Sequence, residues 1–309
     1  MERYAIFFPQ YDTNSVNNEA WGAFFNDWIL VGYANAFNLW KQRRAPKKGF
    51  YNLCNTKDIE IIMKEAQEYR LDGFGLYHYY FKEGSILDCV EQYFLYENMD
   101  TNLKFFLIYA NEFWTKRWIG SNEIILDYPD LTESFIENHV YYLSKLMKVE
   151  NYKKISNKPL FIFYRLDIYK NFEEVLYLYR KAFLKYDIEP MLGMYLKHPA
   201  EIKFVKYLDC IYLFEPRMFF NLNKIGNQSF LFKINEFLIK NGFLKLSEKL
   251  SYLYGKVTVQ GKNFSYRNYL DYLISYKRIK IFEDIKNINK DIKLQEVLCV
   301  GWNNSPRFG

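Results

Sequence analysis

The sequence predicts an α/β fold, a (β/α)8 TIM-like barrel whose eighth strand is missing from the chain. Three observations carry that expectation. Short apolar runs of strand length alternate with segments of helical periodicity, which implies parallel strands joined by right-handed crossovers. Seven βα steps follow one another, the last without its helix. Polar residues stand directly after nearly every strand, as expected where the loops of a barrel's carboxyl face converge on one place. A doubly wound sheet explains that recurrence less well, because its crevice draws on fewer strand ends.

Taken in order, Tyr4 to Phe8 is a short apolar strand ended by Pro9-Gln10-Tyr11-Asp12. An Asn-rich aromatic segment then runs to Trp40 without a clear period, and reads as a long loop over the mouth of the fold. Thr56 is expected to cap a helix that ends near Leu71, with Asp58 and Glu60 in its first turn and Ile59, Ile62, Met63 and Ala66 on one face. Gly73 to Tyr77 is the next strand, running into His78-Tyr79-Tyr80-Phe81. A helix from about Ile86 to Glu97 leads to the strand Phe105 to Tyr109, and a longer one follows Pro129 through about Met147. Pro159 to Tyr164 is a strand closed by Arg165 and Asp167, and Phe172 to Lys185 a helix. Met191 to Tyr195 is a strand running into Lys197-His198-Pro199, and a short helix spans Glu201 to Tyr207. Cys210 to Phe214 is a strand closing with Glu215-Pro216-Arg217. The irregular stretch at about 221–261 reads as an inserted helical loop in one domain covering 1–309. Tyr266 to Ile281 is expected to be helical, and Val297 to Val300 a final strand before Gly301-Trp302-Asn303.

Composition narrows the class. The 309 residues are half hydrophobic and one quarter charged, enough for a sizeable core in a globular chain. With 29 Tyr, 28 Phe and 6 Trp the chain is rich in aromatics, the usual platforms for sugar rings, although AT-rich coding also favours Tyr and Phe. A net charge of +6 is mild, and the densest basic cluster, Lys41 to Lys48, reads as a solvated loop. With no RNP, zinc-finger or helix-turn-helix signature, no nucleic-acid partner is expected. The four cysteines, Cys54, Cys89, Cys210 and Cys299, form no CxxC pair, so neither a zinc knuckle nor a disulfide framework is indicated and a reducing compartment fits. No signal peptide is read at MERYAIFFPQ, and no charge-free apolar run reaches the roughly 18 residues of a membrane helix, so a cytosolic location is expected.

Chemistry concentrates in Lys104 to Trp118, KFFLIYANEFWTKRW. After the apolar run, an amide, a carboxylate, two cations and two indoles crowd into Asn111 to Trp118. The plain alternative is a buried strand and a solvated loop, but two Trp flanking Lys and Arg are costly to leave in a featureless one. Glu112 and Glu215 are the two glutamates placed directly after apolar strands. Each alone reads as an ion-pair partner; together they are the equipment of glycoside cleavage or transfer, one as acid/base and one as nucleophile or base. With three His and no HxH or HExxH spacing, no metal site is expected, and a lone His78 reads most simply as a hydrogen-bonded core histidine. No G-x-S-x-G elbow is present. Gly73-Phe74-Gly75 lacks the third glycine of a dinucleotide fingerprint, and Gly255 to Asn263 misses a phosphate loop by one residue and by Asn263. The absence of Asp-x-Asp argues against a metal-held nucleotide-sugar diphosphate. No cofactor is expected.

The FFPQYD opening, DGFGLYHYYF, YANEFWTKRW and the closing VGWNNSPRFG together resemble the WbsX-like glycosyltransferase family. These blocks run in the family's order from residue 4 to residue 309. Asn111, Glu112, Trp114, Arg117 and Trp118 match its NENWTRRW-type motif, with Phe113 in place of a polar residue. Gly301, Trp302, Asn304, Pro306 and Arg307 match its GWDNTPRRG-type motif, with Asn303 in place of Asp. The resemblance implies a barrel core like that of glycoside hydrolase family 99 and a role in O-antigen or capsular polysaccharide biosynthesis. The family pattern continues into an eighth strand with an NEWxEGxxLEP-type block that this chain lacks. A missing tail is the expectation, since a seven-stranded barrel would expose two strand edges.

The resulting expectation is carboxylate-assisted glycosyl transfer, with Glu112 as general acid or base and Glu215 as its partner. Gln10, Tyr11, His78, Tyr79, Asn111, Arg117 and Arg165 would bind the carbohydrate, as would Asn303, while Trp114, Trp118 and Trp302 would stack on rings. The expected partners are a sugar donor and an oligosaccharide acceptor, with peripheral contact to a membrane-bound lipid-linked glycan at the inner membrane. An endo-mannosidase-like glycoside hydrolase and a non-catalytic carbohydrate-binding barrel are the alternatives.

Overall fold

The computed structural model describes residues 2–36, 49–96, 102–116, 123–127, 129–225, 234, 238, 246 and 266–300. They fall into two compact units: Met1–Ile162 with Leu178–Met191, and Phe163–Tyr177 with Leu192–Val300. Both are α/β, built on parallel strands whose connecting helices carry apolar stripes.

The first unit opens with β1 (Tyr4–Phe7), α1 (Ser15–Trp21), α2 (Asp27–Ala36) and α3 (Thr56–Glu68). It continues through β2 (Gly73–Phe81), β3 (Gly84–Ile86), α4 (Cys89–Tyr96), β4 (Lys104–Tyr109), β5 (Trp114–Thr115) and β6 (Ile124–Leu126). It is completed by α5 (Glu133–Met147), β7 (Lys154–Ile155) and β8 (Lys158–Phe163) apart from its last residue. Strand β2 is central and runs parallel to both neighbours, with Tyr4 opposite Gly73 on one side and Phe74 opposite Phe105 on the other. Strand β8 follows β4 in the strand order. Strands covered on both faces read as unbroken apolar runs, and five of the six β4 residues are indeed buried. Helix α5 shows why a sequence period becomes a packed face: Ile136, His139, Val140, Leu143 and Met147 are buried at three- and four-residue spacing. Thr132 caps it by accepting from the Phe135 N–H, while Glu133 and Lys145 complement its dipole at the two ends.

The second unit contains β9 (Met191–Leu196) apart from its first residue, a 3-10 helix (Pro199–Tyr207), β10 (Cys210–Leu213) and α7 (Arg217–Ile225). It ends with α8 (Tyr266–Leu273), α9 (Tyr276–Ile288) and β11 (Lys293–Glu296). Helix α6 (Phe172–Leu184) begins in this unit and ends in the first. Strand β10 runs parallel to β9 and β11, with Cys210 opposite Gly193 and Lys293.

Several boundaries differ from the sequence reading, each for a physical reason. The segment before Trp40 holds α1 and α2; their weak apolar stripes hide the period, and Asn14 caps α1 by accepting from the Asn17 N–H. Asn55, not Thr56, caps α3, accepting from Lys57 N–H at 3.1 Å. Helix α4 starts three residues late because Gly84–Ile86 turns back as an antiparallel strand on the end of β2. Ser275 breaks the expected 266–281 helix in two by capping α9. The last strand is Lys293–Glu296, while Leu298 and Val300 are exposed. Cys54 and Cys89 form a disulfide, against the expectation of no disulfide framework. Their separation of 35 residues carries no local signal, because the pairing depends on the lead-in to α3 meeting the start of α4. Most of the expected 221–261 insert lies outside the described residues.

The β1–β2–β4 packing leaves no room beside two glycines. A Cβ on Gly75 would lie 2.7 Å from Phe106 Cζ, and one on Gly73 would lie 1.8 Å from the Lys104 carbonyl oxygen. Gly75→Ala is expected to lower stability in chemical denaturation by about 1–3 kcal/mol, the usual range for overpacking. Gly73→Ala should lose more, since the obstacle is backbone. Wild-type stability of Gly73→Ala would contradict this register.

Candidate active site

Parallel strands present their carboxyl ends on one side of a sheet, and side chains gather there because successive loops open onto it. In the first unit β1, β2 and β4 deliver Gln10-Tyr11-Asp12, His78 to Phe81 and Ala110 to Glu112. The Ala110 N–H donates to the His78 carbonyl at 2.8 Å, carrying the β2–β4 ladder to its end. Asn111 is fully buried, and Glu112 beside it is partly exposed. Trp114 packs edge-on against Tyr79 at 5.3 Å, in a cluster with Phe81, Leu87 and Ala110. Tyr79, Asn111, Glu112 and Trp114 are thus brought onto one stretch of strand ends. Gln10 is buried, and Tyr11 packs on Trp28 at 4.3 Å between ring centroids.

His78 has no exposed surface, and both of its ring nitrogens are engaged inside the protein. Nδ1 lies 2.9 Å from Glu91 Oε1, and Nε2 lies 2.9 Å from His139 Nε2. His139 Nδ1 reaches the Tyr179 hydroxyl at 2.8 Å, and Tyr142 donates to Glu91 Oε2 at 2.9 Å. Burial, then the neighbouring His78, pushes His139 well below the usual histidine range, which favours its neutral form.

Asp12 was absent from the sequence-derived site although it ends the FFPQYD block. It is 1% exposed, and burial pushes its carboxyl up to about 7 against the pull of Asn14. Its carboxylate and the sulfurs of Cys54 and Cys89 lie within 4.8 Å of one another, the one such group of potential metal ligands among the described residues. An acid directly after an apolar strand was the available signal. Glu91, His139 and Tyr142 gave none, since polar residues within a helix declare no partner in sequence.

The second unit holds another charged cluster at the ends of its strands. The Arg165 guanidinium donates to both Asp167 oxygens, at 2.8 and 2.6 Å. Lys197 is buried, donates to the Tyr164 carbonyl at 2.7 Å and lies 4.3 Å from the centre of that ring. Glu201 accepts from the Lys197 and His198 backbone N–H groups at 2.6 and 3.0 Å, the reciprocal half of a cap in which His198 Nδ1 accepts from Ala200. Burial pushes Glu201 up, with Lys197 opposing. Glu215 is also buried; it accepts from the Tyr272 hydroxyl at 3.0 Å and the Phe219 N–H at 3.2 Å, with Arg278 Nε 3.7 Å away. Burial raises its carboxyl, and those three partners oppose the rise. Glu112 and Glu215 therefore belong to different units. Arg117, Trp118, Trp302 and Asn303 lie outside the described residues.

Burial works against the charged form of Asp167, yet Arg165 and then Lys197 hold its carboxyl down to about 2 from an ordinary 3.8. A carboxyl depressed on folding stabilises the fold above its unfolded pKa and loses that contribution as pH falls through the folded one. The contribution at neutral pH is on the order of 2 kcal/mol. Asp167→Asn should therefore be less stable than wild type at neutral pH, with the gap narrowing as pH falls from about 4 through about 2 in pH-dependent denaturation. A gap that stays constant down to pH 2 would contradict the pairing.

Comparison with known proteins adds relatives of modest similarity. Two proteins called WxcX, uncharacterized, from Xanthomonas campestris pv. campestris strains B100 and ATCC 33913, are each 27% identical over 165 residues, 52% of this chain. The match spans 23% of the length of those relatives. Among solved structures, the GH99 endo-alpha-mannosidase from Bacteriodes thetaiotaomicron aligns with a TM-score of 0.43 and 10% identity, over 69% of this chain and 58% of that one. A glycoside hydrolase-like protein aligns with a TM-score of 0.46 and 14% identity, over 99% and 86%. The family described as glycosyltransferase WbsX matches residues 3–309, and the chain belongs to that family.

Proposed function

We propose that this protein is a carbohydrate-active enzyme that transfers a glycosyl unit during the biosynthesis of a bacterial surface polysaccharide, O-antigen or capsule, on a (β/α)8-type barrel. The observation that carries the reading is the end of β4, where a fully buried Asn111 precedes a partly exposed Glu112 beside the Tyr79–Trp114 aromatic cluster. A buried amide can orient a sugar hydroxyl, an accessible carboxylate can move a proton, and aromatic faces bind the apolar C–H faces of rings. The family to which the chain belongs supports that chemistry.

In this reading Glu112, at the end of β4, is the general acid or base. Asn111, Gln10 and Tyr11 position the substrate, and Arg117 and Asn303 contribute polar contacts; His78, wholly buried with both ring nitrogens engaged, does not touch it. Tyr79, Trp114, Trp118 and Trp302 supply ring faces. The sugar donor and oligosaccharide acceptor would be met in the cytoplasm, with the acceptor on a lipid carrier. Among the described residues no helix is long and apolar enough to cross a membrane.

The test is a mass-spectrometric assay of purified protein with nucleotide-sugars and oligosaccharide acceptors, run beside Glu112→Gln. Wild type should add one glycosyl unit, and the variant should lose at least the roughly 10²-fold typical of a general acid or base. Sugar release without any donor would replace the transferase by a hydrolase. Glycan binding without turnover in both proteins would leave a binding barrel instead.

A further inference from the structure

The Cys54–Cys89 bridge stands against a buried acid, and that juxtaposition is unused by the proposed reaction. The two sulfurs and a carboxylate oxygen of Asp12 lie within 4.8 Å of one another, and the cysteine Cα atoms are 5.1 Å apart. Three separate segments supply the donors: the tail of β1, the lead-in to α3 and the first residue of α4. Asp12 is 1% exposed, and the Asn14 amide donates to its carboxylate at 3.5 Å. Cys54 is exposed, so a soluble reductant can reach the bridge.

We propose that the reduced form of this trio is a zinc site, with Cys54, Cys89 and Asp12 as three protein ligands and a fourth position open, and that disulfide formation closes it. Two thiolates and one carboxylate form a donor set that a borderline-soft ion such as zinc accepts. Zinc–sulfur bonds of about 2.3 Å in a tetrahedron need sulfurs about 3.8 Å apart, so the bonded pair must part on reduction to make the site. A carboxylate taken out of water is expensive without a cation or donors around it, and the metal would supply that partner. The redox step balances simply. A dithiol passes two electrons and two protons to the bridge, the S–S bond breaks, two thiols form, and the reductant leaves as its own disulfide. Zinc then displaces the two thiol protons. Either state ties the start of α4 to the lead-in of α3, so the site clips the same segments in oxidising and reducing surroundings.

The experiment uses the full chain with Cys210→Ala and Cys299→Ala, reduced by a phosphine and titrated anaerobically with cobalt(II) as the spectroscopic stand-in for zinc. One equivalent should bind, giving sulfur-to-cobalt charge-transfer absorption and intense visible bands of tetrahedral cobalt, both erased by zinc. Cys54→Ser together with Cys89→Ser should lose the charge-transfer band. Asp12→Asn should weaken binding by more than the about tenfold that loss of an outer-shell partner already costs. Oxidised protein should bind none. Circular dichroism matching the oxidised protein, and two titratable thiols, certify that the reduced chain is folded and open. A folded, reduced chain without the charge-transfer band would overturn the proposal. So would a band that survives the double serine variant, or a bridge that no reductant opens while the chain stays folded.

Discussion

His78 sits in the middle of the central strand of the first unit with no exposed surface, fixed through Glu91 to α4 and through His139 to α5. Tyr142 fastens the far oxygen of Glu91, and Tyr179, in the half of α6 that belongs to this unit, closes the chain beyond His139. Each link satisfies a polar group that burial would otherwise penalise, so the chain is stable complete and unstable in part. Removing one partner so that a buried polar group is left unsatisfied typically costs about 1–3 kcal/mol. The helices are thereby held to β2 at one rotation and one height. The backbone ladder from Gly73–Lys104 to His78–Tyr109 sets where β2 ends relative to β4, and with it where Asn111 and Glu112 emerge.

The same constraint explains the division of labour at the strand ends. A histidine with both nitrogens committed to protein partners orients neighbours before it touches anything else. After β4 the ladder residues Ala110 and Asn111 stay buried, and the surroundings first open at Glu112. The second unit reaches a comparable arrangement by different means. There the fixed elements are ionic: Arg165 forks onto Asp167, Lys197 is buried beside Tyr164, and Arg278 stands between Glu215 and Glu296.

Strands were legible wherever burial on both faces demands an unbroken apolar run, as at Phe105 to Tyr109 or Cys210 to Phe214. The final strand was misplaced because β11 is half exposed and carries Lys293, Gln295 and Glu296, while the apolar run beside it faces solvent. Helix α5 could be read from its period; α1 and α2 could not, because capping by Asn14 and packing of Trp21 on Phe25 decide them rather than a stripe. At the site, polar residues after strands were visible one by one, so Asn111 and Glu112 could be named. The partners of His78 and the pairing of Cys54 with Cys89 depend on contacts across 61 and 35 residues, which no local pattern encodes.

The central claim is that the ends of β2 and β4 face a carbohydrate. Hydrogen–deuterium exchange of the full chain, with and without an oligosaccharide fragment of a surface polysaccharide at saturating concentration, tests it most directly. The account requires slowed exchange in the segments covering 78–82 and 110–116, with the buried strands before them unchanged. Slowing confined to other surfaces, with those two segments unaffected while the sugar is bound, would contradict it.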